Sequence, residues 1–488
     1  MVARQERRIF RSVFLAASAV LLSACSLGPF FEVPRTEDAA WRAGPVVAAW
    51  PSRDWWRGFR SAELDALIAA ASADNLDIAA AAARVRQADA QLRIAGAALL
   101  PAASVVGKED WQRSASQRRA SSGVFVNTGR YTETRTYTVQ PSVSYEIDVW
   151  GRLAATRDNA LASALASRYD QQTVALTAVT SVASTWFQAL SLQDRLDISA
   201  RNLRDAEEIL AAIRGRLGAG TASLLDVYQQ EALVDGIRAQ VPGLRSQLEQ
   251  QLNGLGILIG KPPSAITVRP GTLNALALPE VAPGLPSEVL TRRPDVAYAE
   301  ASLRAANANI AVARANYLPQ LELSGAAGWQ SLALETLFGP GSLFAQVTAS
   351  VTQTIFDNGQ KDAQFDNAQA RYDELLADYR KAVLQAFTDV ENGIQAYRLA
   401  TEQERLARIA VATAQRAADI ARAQLLAGTS DIVTVLQVQN TLFSDLDTLA
   451  QVRLARFQAL LSLYKALGGG WQQTDVPQLS PKLLQGVL

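Results

Sequence analysis

ARVRQADAQLRIAGAALLPAASVVG, residues 83–107, stands 218 positions ahead of ASLRAANANIAVARANYLPQLELSG, residues 301–325. Laid over each other, the two stretches bring Pro101 onto Pro319, Gly107 onto Gly325 and, just beyond, Trp111 onto Trp329. Further along, the offset becomes 208: LGAGTASLLDVYQQ (217–230) lies over LLAGTSDIVTVLQV (425–438), and Gly260 falls on Gly468. A chain of 488 residues built from two long copies of one unit has internal pseudo-twofold symmetry, so the unit is read once and doubled. The drop in offset from 218 to 208 predicts a ten-residue difference in the length of one loop between the aligned blocks.

Residues 1–24 read as a signal peptide. MVARQERRIFRS is a basic n-region, VFLAASAVLL is an apolar stretch too short to span a bilayer as a helix, and LSAC closes it with small residues. Leu22-Ser23-Ala24-Cys25 is similar to a bacterial lipobox, which implies cleavage before Cys25 and lipid there (S-diacylglycerol and N-acyl). Cys25 is the single cysteine of the chain. Ser26 follows it where an Asp would favour retention at the inner membrane, so the expected destination is the outer membrane. Removing Arg4, Arg7, Arg8, Arg11 and Glu6 from 47 residues of each sign leaves 43 basic against 46 acidic, a net charge of −3. Such a balance gives no electrostatic footprint for nucleic acid. The chain has no histidine, which removes Ser-His-Asp and Cys-His nucleophiles and His-ligated metal sites. No enzyme and no cofactor beyond the lipid are expected, and past residue 25 no apolar run approaches 18 residues. If the chain crosses a membrane, it does so with strands.

Within one copy the period changes twice. Residues 61–98 read as helical, with Leu64, Leu67, Ile68, Leu76, Ile78, Val85, Leu92 and Ile94 among alanines, and Pro101 ends the run as Pro319 ends 294–316. Residues 136–148 then alternate: Tyr137, Val139, Pro141, Val143, Tyr145 and Ile147 on one face, Thr136, Thr138, Gln140, Ser142, Ser144 and Glu146 on the other. The second copy alternates at 320–330 and again at 343–354, and 102–112 is the weaker fourth member. A soluble sheet with one wet face gives the same pattern. Two details favour a membrane: polar loops at 113–130 and 331–342 join the strands, and Trp111, Tyr137, Trp329 and Phe344 lie near the loop-side ends, where an interfacial girdle belongs.

Each copy continues as a very long helix, 153–216 and 361–426, without proline, and each ends at a glycine turn, LGAGT or LLAGT. The first of these, at ~1.5 Å per residue, is about 96 Å long, three times a bilayer core. A second helix returns from each turn at 222–258 and 430–467, and Pro242 predicts a kink or local break in the first. The helices are rich in Ala, Ser, Thr and Gln. Two readings fit that composition: a solvated coiled coil with a narrow seam, or a helical wall with neighbours on two sides and water on two faces. Four strands cannot close a barrel, and open edges in lipid leave backbone groups unpaired at several kcal/mol each. The membrane reading therefore demands several chains around one axis, a number that physics alone leaves open.

At this point the blocks DWWRGFRSAELDALIAAASADNLDIAAAAARV (54–85), LPSEVLTRRPDVAYAEASLRAANANIAVARANYLPQLELSG (285–325), FDNGQ (356–360) and LYKALGGGW (463–471) matter together. In that order on a duplicated frame, the chain resembles the TolC-like outer-membrane efflux factors, in the lipoprotein branch typified by OprM and known as NodT-type. The resemblance implies a mainly α fold with membrane β: a homotrimer with a 12-stranded β-barrel continuing into a 12-helix coiled-coil tunnel across the periplasm. A mixed α/β equatorial band is implied around 261–285 and after 468. The organisation is then a signal peptide 1–24, an acylated segment 25–60, a first repeat 61–260, a linker 261–285, a second repeat 286–468 and a tail 469–488.

The resemblance also implies a passive exit duct for drugs or other small molecules. Its partners are a periplasmic adaptor, an inner-membrane pump of the RND type, and outer-membrane lipid. Relatives close the periplasmic end with aspartate rings, at positions where this chain has Gln437 and Thr434. The nearby acids are Asp431 and, at the first-repeat counterpart of Thr434, Asp226; each is a pore candidate or a helix cap. Gly218, Gly220, Thr221, Gly428 and Thr429 form the turns, as C-cap and N-cap residues or as the tips that meet the adaptor. A protein-secretion duct of the same fold, a coiled-coil adaptor lipoprotein and a carboxylate-based lytic enzyme are the competing readings. The lipobox and ALGGGW favour small-molecule efflux.

Overall fold

A computed structural model describes residues 31–34, 42, 50–119, 125–280 and 286–475. The signal peptide and Cys25 lie outside the described residues. Helix α1 (Ala62–Asp74) starts at Ser61, whose side chain accepts from the Leu64 amide, and it buries Leu64, Ile68 and Ala71 at helical spacing. The helix expected over 61–98 is in fact two. Asn75 is extended, ends α1, and its carboxamide oxygen accepts from the Asp77 and Ile78 amides to start α2 (Leu76–Ala97). One polar residue in an alanine-rich run is a weak sequence signal, yet it caps the second helix and turns the chain.

Strands β1 (Ala102–Arg119) and β2 (Phe125–Glu146) follow. They run well past the expected 102–112 and 136–148, and the expected loop 113–130 is mostly a paired extension of the hairpin, Arg113 facing Glu133 and Gln117 facing Asn127. Polar residues on both faces hid this ladder, because a strand standing in water has no hydrophobic alternation to reveal it. Helix α3 (Arg152–Gly218) and helix α4 (Leu224–Leu258) complete the first copy. The break that Pro242 could make is absent: α4 runs through it as one helix, with the proline on its exposed side and one backbone hydrogen bond lost. The second copy comprises α5 (Pro286–Thr291), α6 (Pro294–Ala315), β3 (Gln320–Ser331), β4 (Leu343–Thr352), α7 (Gln360–Ala427) and α8 (Ile432–Ala466).

All four strands form one antiparallel sheet in the order β1-β2-β3-β4, with β2 and β3 joining the two copies. The registers reproduce the sequence offsets. Ala102 pairs with Ser144; moving the first by 218 and the second by 208 gives Gln320 and Thr352, which also pair. The ten extra residues therefore lie in the β1–β2 hairpin. At ~1.5 Å per residue, α3 with 67 residues and α7 with 68 are each about 100 Å long. Both start alike: Gly151 and Gly359 have φ of +73° and +80°, and Asp148 and Asp357 accept backbone amides of the first turn.

Alongside each long helix, two shorter ones abut end to end. At the end of α4 Leu258 offers its carbonyl to the Asn75 carboxamide at 2.8 Å, and at the end of α8 Ala466 accepts from Arg293 at 3.4 Å. Position 75 advanced by 218 is 293, so the two junctions are copies with different chemistry. Arg293 is buried and is held by Asp295 at 2.6 Å and Asp389 at 2.9 Å. The glycines sit here for steric reasons. Gly260 and Gly468 have φ of +65° and +80°, and a Cβ would come 2.3 Å from the Asp74 carbonyl oxygen and 1.8 Å from that of Arg292.

The main core surrounds these junctions. Trp55 stacks on Tyr464 at 4.8 Å, and Phe187 lies 5.0 Å from Phe59 and 4.9 Å from Phe457, among Leu64, Ile68, Val182, Leu190, Leu255 and Leu460. Residues 50–74 thus join the equatorial layer expected from 261–285 and the tail alone. Residues 261–280 form two short 3-10 turns, with no strand among these described residues, while 281–285 and 476–488 of the expected band lie outside the described residues. It is fastened by side chains: Glu63 accepts from the Arg269 amide, Gln193 from Gly271 and Asp194 from Leu273. Gly468→Ala is expected to lower the thermal stability of the folded protein strongly, because an αL alanine costs about 1–2 kcal/mol before the clash with Arg292 is counted. Gly218→Ala, at a helical position with no neighbour within 4 Å, should leave it unchanged or raise it slightly; calorimetry of both variants checks the contrast.

Candidate functional site

The sheet has two chemically different faces. The registers put Ala103, Val105, Gly107, Glu109 and Trp111 on one face with Arg135, Tyr137, Val139, Pro141, Val143 and Tyr145, then with Leu321, Leu323, Gly325, Ala327 and Trp329, then with Leu343, Ala345, Val347, Ala349 and Val351. This face is open: Val347 is 81% and Val351 70% exposed. The other face carries Ser104, Lys108, Asp110, Thr138, Gln140, Ser142, Glu322, Ser324, Gln330, Gln346, Thr348 and Ser350, with Thr138 only 2% exposed. Leu321 to Trp329, counted inclusively, is nine residues, the length of a tilted membrane strand. An apolar outer band over a polar inner surface is what a barrel in lipid with a wet lumen requires. Beyond Trp111 the β1–β2 hairpin turns polar, with Arg113 3.6 Å from Glu133 and stacked over Tyr131.

Two edges of this sheet, on β1 and on β4, have no partner strand among the described residues. In a bilayer each unpaired amide and carbonyl costs several kcal/mol, so the sheet is one sector of a larger barrel.

At the opposite end of the long helices lie two near-identical tips. Gly220 and Gly428 both have φ of +74°, and the Thr221 and Thr429 amides donate to the Arg216 and Gln424 carbonyls at 2.9 Å. This bond from beyond the turn to the last helical turn satisfies orphan carbonyls. The threonine hydroxyls donate to the same carbonyls at 3.2 Å. Gly218 is the last residue of α3 and has no left-handed backbone. The tip interior is apolar, built from Ile209, Ile213, Val227, Leu425, Ile432 and Val435.

Both acids cap helices. Asp226 and Ser223 form a reciprocal capping box, the carboxylate accepting from the Ser223 amide at 2.8 Å. Asp431 is the N-cap of α8 and accepts from the Thr434 amide at 2.7 Å. That amide, helped by the Thr434 side chain, holds the Asp431 carboxyl below its ordinary value of 3.8. Thr434 and Gln437 are exposed on α8, and the Gln437 carbonyl accepts from Thr441. Among the described residues, no hydrogen bond or ion pair joins Asp226 to Asp431, Thr434 or Gln437.

Two residues that the sequence reading missed hold the helix pairs together. Arg216, at the end of α3, donates to the Leu425 carbonyl of α7 at 2.8 Å, so it ties one tip to the other. Its counterpart is Gln424, one of the places where the copies differ. Glu404 on α7 is 2% exposed and receives Arg408 at 2.6 Å, Arg453 at 3.1 Å and Arg456 at 3.0 Å, the last two from α8. Burial alone would raise its pKa; the three guanidinium groups outweigh that and hold it below the usual carboxylate range. A Glu in a charged helix reads as a solvated face, and only the packing of α8 reveals its burial. Near the tips, α3, α4 and α8 enclose a groove of about 910 Å³ lined by Asn202, Gln229, Leu233, Gln240, Asn440 and Phe443.

Comparison with known proteins agrees with this geometry. The family described as outer membrane efflux protein matches residues 67–261 and 285–469. The chain is similar to the pyoverdine export outer membrane protein OpmQ of Pseudomonas aeruginosa, 38% identical over 467 residues that span 95% of this chain and 97% of that one. It is similar to the toluene efflux pump outer membrane protein TtgC of Pseudomonas putida, 32% identical over 468 residues, 94% and 95% of the two chains. The solved structure of the outer-membrane channel OprN matches with a TM-score of 0.85 at 26% identity, covering 92% of this chain and 100% of that one.

Asp431→Asn separates charge from cap, since Asn caps a helix as well as Asp does. It is expected to preserve amide protection at Val433 and Thr434 but to lower cation selectivity in bilayer recordings; unchanged selectivity there and in Asp226→Asn rules out both as pore charges. Glu404→Gln should destabilise the α7–α8 pair by on the order of 3 kcal/mol, because buried arginines lose their counter-charge. The folded Glu404 pKa is depressed, so its contribution is full above the unfolded value near 4.5 and fades as pH falls through the folded one. An acid unfolding series of wild type and Glu404→Gln should therefore converge at low pH.

Proposed function

Because the chain belongs to the outer membrane efflux protein family, and is the outer-membrane channel component of a tripartite efflux pump that crosses the periplasm, we propose that it works as a homotrimer anchored by lipid on Cys25 and coupled to an RND-type pump. The observation that carries the trimer is the sheet with an apolar outer face and two unpaired edges. Three copies supply the twelve strands implied by the family resemblance. The relatives named above are exporters of pyoverdine and toluene, both small solutes, which supports small-molecule cargo over the alternative of protein secretion.

The tips are the adaptor-contact surface in this reading. Gly218, Gly220, Thr221, Gly428 and Thr429 are exposed, and a Cβ at Gly218, Gly220 or Gly428 meets nothing within 4 Å. A side chain started there meets no atom of the same protomer at its Cβ, although at Gly220 and Gly428 the left-handed backbone adds strain of its own. Gly218 is the cleanest probe, since its backbone is helical and a side chain causes no strain.

The test uses an efflux-deficient strain complemented with the full-length gene. Wild type should restore resistance, and Gly218→Trp, Gly220→Trp and Gly428→Trp should abolish it while heat-modifiable trimer bands persist in the outer-membrane fraction. Retained resistance in Gly218→Trp sinks the adaptor-contact reading, and absence of any trimer band in wild type sinks the trimer.

A further inference from the structure

The internal repeat specifies a contact that a single chain cannot show. Inside the chain, the second strand of copy one pairs with the first strand of copy two: Val139 with Trp329, Ser142 with Ala326, Val143 with Gly325. The offsets that relate the copies are set at the strand ends, 218 for the first strand by Pro101 over Pro319 and 208 for the second by the left-handed Gly151 over Gly359, and the two hairpin registers agree with their sum. Advancing Val139 by 208 gives Val347, and setting Trp329 back by 218 gives Trp111. We propose that β4 of one protomer pairs antiparallel with β1 of the next in the register that places Val347 opposite Trp111 of the partner subunit. The same operation places Ser350 opposite Lys108 of the partner subunit and Val351 opposite Gly107 of the partner subunit. This inference rests on the trimer reading and adds to it which residues meet.

Three observations carry the register. First, it keeps like faces together: Val347 and Val351 lie on the apolar face with Trp111 and Gly107, while Ser350 and Lys108 both lie on the polar face. A slip by one residue would drive charged side chains into lipid, so only even shifts compete. Second, the chain end of the ladder shows what is missing. The Ile147 amide donates to the Leu321 carbonyl at 2.9 Å, and Ile147 is 41% exposed. Its counterpart Ile355 is 90% exposed; the same bond would run to the carbonyl of Ala103 of the partner subunit and cover it. Third, the helices below ask for the same neighbour. Helix α3 packs against α6 and α8 of the second copy, so its counterpart α7 should receive α2 and α4 of the partner. Among the described residues, Leu384, Leu399, Leu406, Ile409 and Ile420 of α7 are exposed and fall within about 80° of one another around the helix, with Glu391 and Glu402 in the same arc. Over the run of α7 such a stripe is too long to leave to water.

Disulfide trapping in the full-length chain reads the register, with each single variant controlling for Cys25. Ser350→Cys with Lys108→Cys, both facing the aqueous lumen, should give covalently linked trimers on denaturing non-reducing gels. The pair Val351→Cys with Gly107→Cys should do the same, and guards against one pair failing to fold. Ser350→Cys combined with Ser104→Cys or with Gln112→Cys, each four residues out of register, should give only monomers. Links in an out-of-register pair, or none in either expected pair within an assembled trimer, overturn the register and leave the trimer standing. A protein that forms no trimer at all overturns both.

Discussion

A strand edge in hydrocarbon has nowhere to put its hydrogen bonds, and much of this molecule follows from that constraint. Four strands give a sector with two raw edges, so the chain can be neither monomeric nor satisfied by a partner of arbitrary shape. Whatever closes the sheet must present a strand of the right polarity and register. The cheapest source of one is another copy of the same sheet. Because the chain is itself duplicated, the joint inside each chain already displays the geometry that the joint between chains has to repeat.

The helical part obeys a different constraint. A tube of about 100 Å needs straight helices, yet the sequence must also return to the membrane twice. The fold meets this with two unbroken helices, α3 and α7, each lined by a pair of shorter helices butted end to end. Every junction has to terminate one helix and start another in little space. Glycine in left-handed geometry does so at Gly260 and Gly468, and the aromatic cluster of Trp55, Phe59, Phe187, Phe457 and Tyr464 packs around them. The main core thus sits at the middle of the chain, between the sheet and a tip that has a smaller apolar core of its own.

Much of this was legible in the sequence, for physical reasons that can be named. A repeat is visible when both copies keep the same steric demands, as Pro101 and Pro319 or Gly260 and Gly468 do. A membrane strand is visible when one face meets lipid, as at 136–148. Above the membrane that contrast vanishes, and the hairpin extension within 113–130 read as a loop. Asn75 hid in an alanine-rich run because its role depends on a carbonyl 183 residues away. Arg216 and Glu404 were invisible for a similar reason: their partners come from another helix, and a charged residue in an amphipathic stretch looks solvated until its neighbours are known. The glycine turns were found, but which of their residues needs a left-handed backbone was a matter of geometry: Gly220 and Gly428 do, Gly218 does not.

The ten residues that separate the two offsets all lie in the β1–β2 hairpin, which stands taller than its β3–β4 counterpart. Around a closed trimer, tall and short hairpins would alternate like the merlons and gaps of a parapet. The tube is nearly sixfold along its length, but its outer rim would be threefold, with low sills between raised posts. Solute leaving such a mouth could pass sideways over a sill as well as straight out, and any large molecule approaching from outside would touch the posts first.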